Sequence, residues 1–206
     1  KDSIARFIDA LTNERPEAGR FQFDRGARHL IAHSMGNEVL NRSVQQLIEL
    51  NKLQSGMFQN MVFAAPDVYI EDFNTMISHL QEKQVASTYT LYYSRKDLAV
   101  NTSRYVNLLS IDSLLHPSRI LKFLNGRAGI TPHYYPGMAI INTDQVNSSW
   151  GSLFGDFRHG YFATSDKVLE DISALVVHGL GPESRRATLS SDAQTLGQSA
   201  HYLIRP

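Results

Sequence analysis

Cysteine is absent from the 206 residues, which excludes disulfides and thiolate chemistry. No apolar run reaches the ~18 residues that a membrane-spanning helix needs, and no charged-then-apolar leader opens the chain. It reads as soluble, either cytoplasmic or periplasmic. Charge of one sign is lacking too: 20 basic side chains balance 20 acidic ones, so there is no field suited to holding nucleic acid. The basic pair Arg185-Arg186 reads as part of a solvated tail. Metal and nucleotide motifs are also missing. There is no His-Glu-x-x-His, no Gly-x-Gly-x-x-Gly after a strand, and no phosphate loop ending in Gly-Lys-Ser/Thr, so no metal and no cofactor is expected.

What the chain does contain is Ala32-His33-Ser34-Met35-Gly36, a serine between small residues where an apolar strand meets an amphipathic helix. Leu30-Ile31-Ala32 reads as a fully buried strand, and Val39, Leu40, Val44, Leu47 and Ile48 recur at helical spacing. This is the sequence form of a nucleophile elbow. So sharp a turn strains its middle residue and demands small neighbours two positions away on each side. Gly36 meets that demand, whereas Ala32 puts a methyl group where the usual pattern has glycine.

The length suits one domain, since chains of about 150 to 250 residues commonly fold around a single core. Ile4, Phe7, Ile8 and Leu11 form one face of a first helix, and Met61-Val62-Phe63-Ala64-Ala65 a second strand closed by Pro66-Asp67. Phe73, Met76, Ile77 and Leu80 mark the next helix. Residues Thr88 to Tyr93 and Met138 to Ile141 give a third and a fourth strand. Between these two runs a long irregular stretch, with His116, Gly126, Gly129, Pro132 and His133, has the character of a site-shaping loop. A last helix carries Val168, Ile172, Leu175 and Val176, with Ser165 or Asp166 as its cap and Gly179 beyond its end.

Alternating strands and helices predict an α/β fold: a three-layer α/β/α sandwich with a mostly parallel sheet and functional residues at the carboxyl ends of its strands. The domain is expected over residues 1–180. Residues 181–206 form a polar tail, packed on the body or flexible, in which His201-Tyr202-Leu203-Ile204 has the makings of a short strand.

A serine hydroxyl is a weak nucleophile, so Ser34 needs a general base and an acid to orient it. On an elbow scaffold these follow in the order acid, then histidine. Asp97 comes just after the third strand and His159 lies in a glycine-flanked loop after the fourth. Asp67 and Asp144 are alternative acids, each also suited to capping a turn. Among eight histidines, His29 and His33 lie on the elbow strand and read as structural, His79 falls on the polar side of its helix, and His178 and His201 come too late. His116 and His133 are placed to line a pocket. The backbone N–H of Met35 is the expected oxyanion donor, and a second normally comes from an earlier strand.

Leu30 through Asn37, Phe63-Ala64-Ala65-Pro66-Asp67-Val68, Leu91-Tyr92-Tyr93-Ser94 followed by Asp97, and the His159 segment together resemble the α/β-hydrolase superfamily. More narrowly they resemble the bacterial α/β-hydrolase family catalogued as domain of unknown function number 900. Cleavage of a carboxylic ester through an acyl-enzyme, on a small-molecule ester or acyl substrate, is the leading reading of a serine, histidine and acid so ordered, and the resemblance implies Ser34, Asp97 and His159 as that triad. It also implies that the chain is the C-terminal part of that fold, since the early strands do not precede the elbow; further residues are expected upstream of Lys1. The elbow strand would then have an open apolar edge, which another segment or a second chain is expected to cover. A catalytically silent scaffold of the same fold, and an acyltransferase using the same triad, are the alternatives.

Overall fold

Three apolar runs form the middle of the sheet, and their continuity, rather than alternation, is what burial on both faces demands. A computed structural model describes residues 27–102, 125–131, 135–146, 159–185, 188–191 and 200–205. In chain order these form β1 (His29–His33), α1 (Gly36–Glu49), β2 (Phe58–Ala64), α2 (Ile70–Glu82), β3 (Ala86–Tyr93) and β4 (Met138–Asn142). They continue with α3 (Tyr161–Thr164), α4 (Asp166–Val176), a 3-10 turn (Pro182–Ser184), β5 (Leu189–Ser191) and β6 (Ala200–Ile204). The expected helix around Ile4 to Leu11 lies outside the described residues, as do His116, His133 and Arg186.

The strands make one six-stranded sheet in the order β1-β2-β3-β4-β6-β5, parallel except for β5, which runs antiparallel to β6. Successive strand residues point to opposite faces, and the core divides accordingly. Met61, Phe63, Leu91 and Ile140 pack with Leu40, Val44 and Leu47 of α1 and with Phe73, Met76 and Leu80 of α2. Val62, Tyr92 and Ile141 pack on the other side with Val168, Ile172 and Leu175 of α4. This is the three-layer α/β/α arrangement. Ser165 occupies the N-cap of α4, although its side chain makes no capping hydrogen bond.

Two expectations need correction. Leu30-Ile31-Ala32 is not fully buried: Ile31 is 43% exposed, because β1 is the outermost strand among the described residues and has a neighbour on one side only. That is the edge at which a covering segment or chain is expected. Arg185, read as solvated, is instead 2% exposed and ion-paired with the buried Asp171 of α4. Tyr92 donates to the same carboxylate at 2.6 Å and Thr188 at 2.5 Å. Burial, and then the charge of Asp171, push the Tyr92 hydroxyl far above its ordinary pKa, so it stays a donor. With Arg185 fixed, the C-terminal segment folds back: β6 lies parallel beside β4, from Ala139 opposite Ala200 to Asn142 opposite Leu203.

Candidate active site

Ser34 ends β1 with φ at +53°, in the left-handed region that a residue with a Cβ enters at a cost of roughly 1 to 3 kcal/mol. Such strain persists only where neighbours over-determine it. Here Ser34 N–H donates to the Ala64 carbonyl at 3.0 Å, while the Ser34 carbonyl accepts from Asn37 N–H at 3.0 Å and Asp67 N–H at 3.3 Å. The fully buried Asn37 side chain closes the turn, its amide donating to the carbonyls of Ala32, Ser34 and Ala64 at 3.0, 3.2 and 3.3 Å. In the sequence Asn37 figures only as the end of the segment that resembles the family; its place directly after the elbow is the only sign of this clamp.

Small residues flank the turn, and their surroundings differ. Ala32 is buried at 7% exposure, whereas a Cβ built at Gly36 would meet nothing within 4 Å. The expected steric demand at Gly36 is therefore not present among the described residues, because α1 leaves there into open space. Met35, the N-cap of α1, is 68% exposed, and its N–H donates to no backbone carbonyl among the described residues. An unspent donor at a helix N-terminus is the type of group an oxyanion binds.

Asp97 is fully buried at the start of a helical turn over 98–102, and both its carboxylate oxygens are used. One accepts the Val100 N–H at 3.0 Å; the other lies 2.7 Å from His159 Nδ1. The first bond fixes the carboxylate and the second fixes the imidazole. Asp144 braces the turn before Asp97, accepting from Ser94 Oγ at 3.0 Å and from Arg95 N–H at 2.8 Å. Gly129 supports it from the side: its carbonyl accepts the Ser94 N–H, and a Cβ on it would lie 2.7 Å from the Ala65 backbone. No larger residue fits there. Asp67, the other alternative acid, is ion-paired with Arg127 at 3.4 Å.

His159 is followed by the buried Tyr161, whose hydroxyl donates to the Tyr92 carbonyl at 3.3 Å and so ties this loop to β3. On its other side stands His33. The two imidazole rings are 4.6 Å apart, and His33 Nε2 lies 3.3 Å from the His159 carbonyl oxygen. His33 thus adjoins the site rather than pointing away from it, because alternation along β1 puts His29, Ile31 and His33 on the face toward α4. Burial is the main cause, and His159 the next, of a His33 pKa below the ordinary imidazole value; the His159 carbonyl and Asp97 oppose them. His29 instead bonds Asn60 at 2.8 Å, His79 is half-buried on α2, His178 is exposed, and His201 is buried on β6.

Asp97 and His159 are therefore in contact as the spacing suggested, while Ser34 stands one residue from the His33 ring, which lies tilted against that of His159. Among the described residues the Ser34 hydroxyl makes no hydrogen bond, so the expected contact with the imidazole is not formed. No group of three histidine, aspartate or glutamate side chains among the described residues is placed to hold a metal, and no described helix is long and apolar enough to cross a membrane.

Parallel strands feeding helices on both faces, with the strained serine turn at the end of β1, are the architecture of an α/β-hydrolase. The family model described as alpha/beta hydrolase of unknown function (DUF900) matches residues 2–175, and the chain belongs to that family. No curated protein and no solved structure matches it.

Proposed function

We propose that this α/β-hydrolase is a serine esterase acting through an acyl-enzyme, with Ser34 as nucleophile, His159 as base and Asp97 as the group that orients it. The observation carrying this reading is the 2.7 Å bond between Asp97 and His159 Nδ1. A carboxylate there holds the tautomer with the proton on Nδ1, which makes Nε2 the nitrogen that takes a proton, and it stabilises the cation that results. Hydrogen bonds between nucleophile and base are often loose before substrate binds, so their absence does not remove a candidate.

In the acylation step Ser34 Oγ attacks the ester carbonyl and its proton passes to His159 Nε2. The tetrahedral oxyanion is met by the Met35 N–H. Collapse expels the alcohol, which leaves with the proton from His159. Water then attacks the acyl-serine, giving its proton to the same nitrogen, and the second collapse returns that proton to Ser34 with release of the carboxylic acid.

A silent scaffold is the competing reading, and the unbonded Ser34 hydroxyl favours it. Rapid-mix assay with p-nitrophenyl acyl esters separates the two. The esterase reading expects a burst of about one p-nitrophenolate per chain and an acyl group on the Ser34 peptide. Hydrolysis no faster than with Ser34→Ala would leave the scaffold.

A further inference from the structure

His33 is held at two points of one segment. Its ring lies 4.6 Å from that of His159 and 4.7 Å from that of Phe162, the latter stacked at an interplanar angle of 19°. Its Nε2 lies 3.3 Å from the His159 carbonyl oxygen, and a carbonyl can only accept, so His33 donates from Nε2. The pair Asp97–His159 fixes how the His159 ring is turned, but that bond says nothing of how far the ring stands from the elbow. His33 does, because it is the residue before Ser34 and rides on the same strand end.

We propose that His33 is a positioning residue: through its ring stack and its bond to the His159 carbonyl it sets the spacing between the His159 imidazole and Ser34. The inference rests on the esterase reading, since it concerns the reach of the base to the nucleophile. Neither interaction depends on the charge, since both protonation states keep the ring and the Nε2 proton, and a neutral imidazole avoids setting a cation beside the His159 ring. Burial favours that neutral form. Misplacing a reacting group by about 1 Å can cost on the order of 10²-fold in rate.

The test is the second-order rate of Ser34 modification by a fluorophosphonate, together with kcat and KM on a p-nitrophenyl ester, in His33→Ala, His33→Phe and His33→Gln. Phenylalanine keeps the stack without the donor, and glutamine supplies a donor without the stack. The expected result is a 10- to 100-fold slower modification in His33→Ala. Partial recovery is expected in each of the other two, with kcat falling and KM nearly unchanged, all at retained cooperative urea unfolding. Wild-type rates in the Phe and Gln variants would overturn the inference even if His33→Ala fails to fold. So would a loss that tracks loss of cooperative unfolding in all three, which would make His33 merely a packing residue. Failure of the wild-type chain to be modified at Ser34 would instead remove the esterase reading, a distinct outcome.

Discussion

Asp97 and Asp171 are both fully buried carboxylates, and each is paired with a basic side chain from further along the chain, yet their surroundings differ. Asp171 meets Arg185, which is enclosed with it at 0% side-chain exposure and always charged. Asp97 meets His159, which keeps 18% of its side chain exposed and can gain or lose a proton. The first pair sits under α4 with Tyr92 and Thr188 sharing the carboxylate, and it joins the C-terminal segment to the sheet. The second sits at the carboxyl end of β3, beside the strained turn. On the esterase reading the sealed pair is a structural lock, and the pair that keeps an exposed edge is part of the reactive device.

Conservative changes in each pair sharpen that contrast. Asp97→Asn preserves the shape of the site but favours the wrong His159 tautomer; in serine proteases the corresponding change lowers kcat about 10⁴-fold. Esterase turnover should fall by that order while the urea midpoint moves little. Arg185→Met should do the reverse, leaving a buried Asp171 charge unpaired at a cost of about 3 to 5 kcal/mol. Urea unfolding checks this, and turnover per folded molecule should stay near wild type. A dead enzyme from Arg185→Met at full folding would break the division.

How much of this was legible in the sequence follows the same division. Strands β2, β3 and β4 show as continuous apolar runs and α1, α2 and α4 show as 3.6-residue stripes, so the layers and the strand ends carrying Ser34 and Asp97 could be read directly. His159 followed from chain order. Arg185 could not be read: its partner Asp171 sits in the apolar stripe of α4, and sequence gives no sign that a polar residue there is buried rather than exposed. Of β6 the sequence shows a short strand at His201 to Ile204, but not its place beside β4, which pairing with a strand far away in sequence defines. His33 reads as structural, and the alternation of β1 puts it on one face with His29, but its contact with the His159 segment depends on which layer delivers that segment.

Smaller effects probe the turn itself. Asn37→Ala strips buried carbonyls of Ala32 and Ala64 of a donor and relaxes the elbow. The expected loss is about 1 to 3 kcal/mol of stability by urea unfolding, with slower Ser34 modification at full folding. If modification is unchanged, the clamp is not what holds the serine in place.

The smallest expected effect is in pH dependence. The unfolded chain protonates His33 near the ordinary imidazole value of about 6.5, while the folded chain holds its pKa lower, chiefly by burial. Folding therefore binds fewer protons between those two values, and stability is full above about 6.5 and declines as pH falls through it. His33→Phe should flatten that part of the curve of unfolding free energy against pH. An unchanged slope would mean that His33 does not titrate differently on folding.

One measurement reaches the centre of the account: intact-mass analysis and peptide mapping after treatment with a fluorophosphonate. The account predicts one adduct per chain on the Ser34 peptide, abolished in Ser34→Ala and slowed strongly in Asp97→Asn and His159→Ala. No adduct on the folded chain, or an adduct elsewhere that survives Ser34→Ala, would contradict it.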